Sequence, residues 1–435
     1  MYIKKVSIKN IRSIDHFEME FEEPAGWHVI IGDNGVGKST IVKAISLALL
    51  YRDSNGISQS SAKSWLKRGQ QKGLVKLKIE RDENFDGNYL NFSNFDDLNA
   101  TIQFEESNNI LDESGNPTVS GFGLVGDSRG TELYHNWGYK GCFSAGFGPF
   151  RRLGPNIEGM ENDDSRKSAH LSLFQDAPST EPLVWLKNLD HQRLIEKEKN
   201  NGQESTKTYN NLLKFINESN LLPHGAQIEG YDMDGLIFRD GFGTRIPLLE
   251  LSDGYRSILS VTFELIRQLV RVYTAQETFT NIENGKMYID LPGVVLIDEV
   301  DAHLHPSWQT RIGQWFTKYF PNIQFIITTH SPLVCRACEK GSIWRLAAPG
   351  SYEESGEITG IARKRLIYGN ILDAYGTEAF GDNVSISEDA ALKRNRLGEL
   401  YEKSMLGLIN KKEELEFEEL KAILPTFKVN APKAQ

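Results

Sequence analysis

Cysteine is nearly absent: Cys142, Cys335 and Cys338 are the only three in 435 residues. That argues against a disulfide scaffold and fits a reducing compartment, so a cytoplasmic location is expected. No apolar run approaches the roughly 18 residues that a membrane span needs, and Met1–Asn10 lacks a secretory apolar stretch. No membrane partner is expected. A basic excess is missing too, with 49 Lys and Arg against 59 Asp and Glu and a formal charge of −10. Chains that coat nucleic acid non-specifically are usually basic, so DNA or RNA contact is expected only at local patches.

What is present is ample apolar material: 39% of residues, including 22 Phe, 15 Tyr and 7 Trp. Such a chain can bury a sizeable core and is not disordered throughout. Ile3, Val6 and Ile8 with Phe17, Met19 and Phe21 alternate as two strands around a turn near Ser13–Asp15. Val29–Ile31 reads as a buried strand ending at Gly32, and Ile41, Val42, Ala44, Ile45, Ala48 and Leu49 recur at helical spacing. An antiparallel β lobe is expected over about 52–140, and a polar helical insert over about 155–225. An amphipathic helix is expected over Tyr255–Tyr273. Val294–Ile297 and Phe325–Thr328 are short continuous apolar runs, as in parallel strands buried on both faces. Asn410 and Glu413 have the spacing of a helix N-cap in the tail.

Gly32-Asp33-Asn34-Gly35-Val36-Gly37-Lys38-Ser39 matches G-x-x-x-x-G-K-[ST] between a strand and a helix. Its glycines let backbone N–H groups wrap a polyphosphate, and the helix N-terminus adds favourable charge. Lys38 suits the β- and γ-phosphates, Ser39 suits Mg²⁺, and Thr40 completes the cofactor-binding run. The plainer alternative is a Gly-rich turn before a helix. Val294–Glu299 is an apolar strand ending in two carboxylates. Asp298 is placed to hold Mg²⁺, and Glu299 to orient or activate the attacking water. Leu251-Ser252-Asp253-Gly254-Tyr255 offers a hydroxyl, a Gly amide and a helix N-terminus as a second anion site, or else an ordinary cap. His330, in Ile326–Pro332, follows the acidic strand by about 30 residues, the length of one helical crossover. The two strand ends should therefore meet, with His330 near the γ-phosphate.

In this order, the four motifs resemble the nucleotide-binding head of ABC-type ATPases. Ile297–Pro306 and Thr328–Pro332 are similar to the SMC/RecF/OLD branch. The resemblance covers roughly residues 1–50, 140–155 and 225–350. It implies an α/β fold: a P-loop head with a mostly parallel core sheet, an antiparallel β lobe and a helical insertion. It implies ATP and Mg²⁺ as cofactors, and a homodimer or higher homo-oligomer with ATP at the interface. Ser252 and Gly254 would then act on the partner's nucleotide, with Asp253 in the same cofactor-binding segment, Asp301 would lie in the loop beside it, and Lys38, Glu299 and His330 would serve catalysis. Gly148–Arg152 occupies the place of a nucleotide-sensing loop, but no glutamine is evident at its usual position.

The unbroken Leu251–Ser257 segment, the compact insert and the missing TOPRIM domain narrow the resemblance to stand-alone ATPases of anti-phage systems, Septu-type or retron-associated. That resemblance implies a regulatory or sensor subunit beside a separate effector, an HNH-type nuclease. The alternatives are a RecF-like repair ATPase that clamps DNA and an ATP-bound oligomeric scaffold with little turnover.

Gly32 and Asp298 lie 266 residues apart yet must meet at one nucleotide. One split head over 1–384 is therefore expected, its signature and acidic-strand half at 226–350, with a helical tail at 385–435. Cys335 and Cys338 read as reduced structural thiols, and His303 and His305 as part of the segment after the acidic strand. The basic residues Lys63, Lys67, Arg68, Lys72, Lys76, Lys78 and Arg81 are either a solvated face or a phosphate-backbone contact. Arg151 and Arg152 have the same choice, with an ATP-side role as a third.

Overall fold

The computed structural model describes residues 1–50, 64–80, 82, 84–85, 97–111, 117–123, 143–154, 167–176, 180–199, 203–233, 235–348, 354–369 and 388–423. Lys63, Arg81, Cys142, the expected domain boundary at 384/385 and parts of the expected β lobe and insert lie outside these residues.

The opening strands β1 (Tyr2–Ile11) and β2 (Ile14–Glu20) form a hairpin, with Val6 opposite Met19 and Ile8 opposite Phe17. Strand β3 (Gly26–Ile31) is fully buried and leads through the phosphate loop into helix α1 (Lys38–Leu50). Strands β4 (Lys72–Glu80), β5 (Asp97–Leu111) and β6 (Pro117–Gly123) extend the hairpin into one antiparallel sheet of order β2-β1-β4-β5-β6. The β lobe is thus continuous with the first two strands.

A second sheet joins segments distant in sequence: β7 (Ser144–Phe147), β11 (Gly293–Ile297), β12 (Ile323–Thr328) and β13 (Ile343–Arg345), with a short β14 (Gly356–Glu357). Its order is β14-β13-β3-β12-β11-β7, and every pairing except β13–β14 is parallel. Burial on both faces explains why these strands read as continuous apolar runs. Helix α1 lies between the sheets, and all but two of its residues are buried. Its Ile41, Ile45 and Leu49 share one core with Val6 and Ile8, Val75 and Leu77, and Ile30, Leu296 and Ile326. Each such side chain contributes about 1.5–3 kcal/mol on burial.

Helices α2 (Glu181–Lys199) and α3 (Glu204–Glu218) make the insert, followed by a small sheet of β8 (Gln227–Asp232), β9 (Gly235–Arg239) and β10 (Arg245–Pro247). Helices α4 (Asp253–Tyr273), α5 (Ala275–Glu283) and α6 (Pro306–Tyr319) complete this half, and α6 is the crossover between β11 and β12. The insert is anchored to the core. Phe215 of α3 packs edge-on against Trp315, Tyr319 and Phe320, and Trp315 Nε1 donates to the Ser219 carbonyl at 2.8 Å.

Helix α7 (Gly360–Tyr368) closes a first compact unit, Met1–Gly369; residues Asn370–Gln435 form the second. The second holds α8 (Glu388–Met405) and α9 (Lys411–Ile423) around Leu400, Phe417 and Leu420. Asn410 Oδ1 accepts from the Glu413 amide at 2.9 Å while Glu413 accepts from the Asn410 amide at 3.1 Å, a reciprocal cap that starts α9. No helix among the described residues is long and apolar enough to cross a membrane.

Candidate functional site

The phosphate loop owes its shape to glycines with positive φ: Gly32 at 152°, Gly35 at 79° and Gly37 at 112°. Gly37 also permits a close approach, since a Cβ there would lie 2.8 Å from Ser13 Oγ in the β1–β2 turn. Asp33, Asn34 and Gly35 are exposed, Ser39 is half-buried, and Val36, Lys38 and Thr40 are buried. Lys38 Nζ donates to the carbonyls of Gly32 at 2.7 Å and Asp33 at 2.8 Å. Burial pulls the Lys38 pKa down, while Glu299, Asp298, Asp33 and Asp301 oppose that shift. The loop lysine and the acidic strand end therefore share one electrostatic neighbourhood.

Strand β11 ends at Ile297, and Asp298, 2% exposed, follows it. One hydroxyl organises what comes next. Thr328 Oγ1 donates to Asp298 Oδ1 at 2.6 Å and accepts the Glu299 N–H at 2.7 Å. Thr329 Oγ1 donates to Asp301 Oδ1, which also lies 3.4 Å from the His330 amide. These bonds form because β11 and β12 are parallel neighbours, with Ile297 beside Ile327. Glu299 is half-buried with φ at +47°, a left-handed conformation unusual for a non-glycine residue. His330 is exposed at the end of β12.

Arg151, 3% exposed, reaches the same turn from the loop after β7. Its Nη1 donates to the Gly148 carbonyl at 2.7 Å and the Asp298 carbonyl at 2.9 Å. Its Nη2 donates to the carbonyls of Glu299 at 3.0 Å and Val300 at 3.1 Å. Burial lowers its pKa to about 10, opposed by Asp298, Asp301 and Glu299, so it stays charged at neutral pH. Next to it, Arg152 lies 3.5 Å from Asp253.

Ser252 stands at the N-cap of α4, but its side chain makes no capping hydrogen bond, so the ordinary-cap reading lacks its defining bond. Asp253 pairs with Arg256 at 2.5 Å, and the guanidinium holds the exposed carboxyl below its usual range. A Cβ on Gly254 would lie 2.9 Å from the His303 carbonyl, so only glycine lets α4 start so near the segment after the acidic turn. A pocket of about 110 Å³ opens there, lined by Gly254, Tyr255, Ile258, Leu304 and Trp308.

Three groups with roles here were not assigned from sequence: Thr328, Thr329 and Arg151. In the sequence the Thr328-Thr329 pair is only the run that leads into His330. Two other features are structural. His305 caps α6, Nδ1 accepting the Ser307 amide at 3.3 Å, and Cys335 and Cys338 are buried thiols at the turn Pro332–Ala337. Among the described residues no group of three or more His, Cys, Asp or Glu could hold a metal unaided. A metal here would need the Ser39 hydroxyl, Asp298 and phosphate oxygens together, and that all-oxygen set suits Mg²⁺.

A mostly parallel sheet with a glycine-rich loop entering a buried helix after β3, and an acidic strand end on β11 with only β12 between them, is the arrangement of a P-loop ATPase. The chain belongs to the family described as "AAA ATPase domain", which matches residues 1–218, half its length. A second family, described as "AAA domain, putative AbiEii toxin, Type IV TA system", matches residues 156–336. Septu protein PtuA of Bacillus mycoides is 27% identical, over 79% of this chain and 40% of that protein. The chain thus spans less than half the length of that relative. Retron Ec83 probable ATPase of Escherichia coli is 24% identical, over 79% of this chain and 71% of its own. Among solved structures, an SMC head bound to the C-terminal winged-helix domain of ScpA aligns over 82% of this chain and 97% of its own, at 17% identity and TM-score 0.46.

Proposed function

We propose that this ATPase hydrolyses Mg-ATP at an interface between two copies, and so regulates a partner effector in anti-phage defence. The observation that carries the hydrolytic reading is the shared neighbourhood of Lys38 with Asp298, Glu299 and Asp301. In it, Gly32–Thr40 cradle the phosphates and Lys38 neutralises the β- and γ-oxygens. Ser39 and Asp298 would hold Mg²⁺, which would neutralise charge on the phosphate oxygens. Glu299 takes a proton from water as the water oxygen bonds to the γ-phosphorus and the bond to the β-phosphate oxygen breaks, leaving ADP and phosphate. Asp301 after β11 and His330 at the end of β12 are brought together, the His330 amide lying 3.4 Å from Asp301 Oδ1, and both are suited to sensing the γ-phosphate.

Ser252 and Gly254 serve the partner copy's nucleotide. Ser252 is exposed and its hydroxyl is not spent on capping α4, which supports a role on a second molecule. The defence assignment is supported by likeness to a Septu protein and a retron ATPase. These 435 residues carry no nuclease motif, and the reading assigns cleavage to a separate effector, an HNH-type nuclease.

The test is Glu299→Gln in the full chain. Turnover should fall by about 10²–10⁴-fold while a fluorescent ATP analogue still binds. Unchanged turnover would remove Glu299 from the reaction. DNA cleavage by the purified wild-type chain alone would remove the separate nuclease.

A further inference from the structure

Arg151 is an expensive residue to bury. A guanidinium withdrawn from water loses its solvation, and here its hydrogen bonds go to neutral carbonyls. A leucine or methionine would fill such a space more cheaply. What the arginine does that they cannot is gather consecutive carbonyls of one turn, those of Asp298, Glu299 and Val300. Carbonyls of successive residues converge on a single fork only where the chain bends sharply, and Glu299 has its φ at +47°. That left-handed conformation is strained for a residue with a side chain, and something must hold it.

We propose that Arg151 is a positioning residue for ATP hydrolysis, its guanidinium clamping the Asp298–Val300 carbonyls so that Glu299 stays aimed at the attacking water. The clamp works from one side of the turn, and Thr328 works from the other through the Glu299 amide and the Asp298 carboxylate. The Arg151 guanidinium is spent on main-chain carbonyls. Its planar fork supplies two nitrogens that span the carbonyls, whereas a lysine offers three protons on one nitrogen and reaches fewer of them. The proposal rests on Glu299 being the group that activates water, and the test separates the two.

Arg151→Lys and Arg151→Met are compared with wild type and Glu299→Gln in the full chain. Steady-state hydrolysis, affinity for a fluorescent ATP analogue and thermal unfolding are all measured. A loosened turn misplaces the carboxylate without removing the phosphate loop. The expected result for both arginine variants is therefore a kcat lower by about 10- to 100-fold, with KM and analogue affinity within about 3-fold. Two results overturn the clamp. One is Arg151→Lys turning over like wild type while Glu299→Gln is inactive. The other is affinity and unfolding temperature in Arg151→Lys falling in step with kcat, the mark of a merely structural arginine. If Glu299→Gln itself hydrolyses ATP like wild type, the assignment of Glu299 fails, and the clamp fails with it for that separate reason.

Discussion

Gly35 and Gly37 are two residues apart in one loop and carry different burdens. Both have positive φ, but a Cβ on Gly35 meets nothing within 4 Å, whereas on Gly37 it would meet Ser13 Oγ at 2.8 Å and Ile14 Cγ1 at 3.2 Å. Gly35→Ala should therefore cost only the backbone strain of about 1–2 kcal/mol. Gly37→Ala adds a collision with the β1–β2 turn, so its unfolding temperature should drop further. A thermal melt in which Gly35→Ala is the less stable variant would contradict this. The motif spacing told of both glycines but not of the difference, because Ser13 is remote in sequence and near only in the fold. The threonines behave likewise. Thr328 bonds Asp298 and Glu299 only because β12 is paired beside β11.

The elements themselves were largely legible. The buried strands declared themselves as continuous apolar runs, and α1 and α4 by helical spacing, with α4 starting two residues before the expected Tyr255. What the pattern did not show was β1 and β2 joining β4–β6 in a single sheet, since pairing between remote strands leaves no local mark. Nor did it reveal the buried polar groups that tie elements together. Gln324 of β12 exchanges two hydrogen bonds with the Ile3 backbone, at 2.7 and 2.8 Å, where β1 breaks register with β4. In β3, His28 Nδ1 lies 2.8 Å from Ser342 Oγ and Nε2 lies 2.7 Å from the Pro24 carbonyl, while Trp344 Nε1 donates to Ser342 Oγ. This arrangement fits a neutral ring that donates to Pro24 and accepts from Ser342.

Burial lowers the His28 pKa to about 4 from 6.5. Above pH 6.5 neither folded nor unfolded His28 is protonated, and its contribution is complete. As pH falls from 6.5 toward 4, the unfolded chain gains a proton that the folded one refuses, and up to about 3 kcal/mol of stability is lost. Urea unfolding midpoints should decline across this window in wild type and decline less in His28→Gln. Parallel declines would show that other groups govern the acid limb.

At the scale of the whole molecule, the proposed interface predicts association that depends on nucleotide. Glu299→Gln with Mg-ATP should sediment as a dimer or larger assembly, because ATP is held and not turned over. Lys38→Ala, which loses the charge facing the phosphates, should not. Glu299→Gln remaining monomeric with saturating ATP would sink the shared-site reading and favour hydrolysis within one chain. The acidic composition suits the proposed division of labour, in which a partner would do the cleavage and this chain does not need to be basic overall.

The sequence by itself determined the loop chemistry, the acidic strand, the segment before α4 and the mostly parallel core. Each of these is written in consecutive residues whose spacing obeys a local geometric rule. Only the tertiary structure decided that Arg151 gathers carbonyls 147 to 149 positions away, that Thr328 bonds both Asp298 and Glu299, and that α1 is sealed between two sheets. The physical reason is that a hydrogen bond or a packing contact depends on distance in space. Chain separation foretells a neighbour only across a single crossover, as for β11 and β12, and carries no record of longer-range partners until the whole core is assembled.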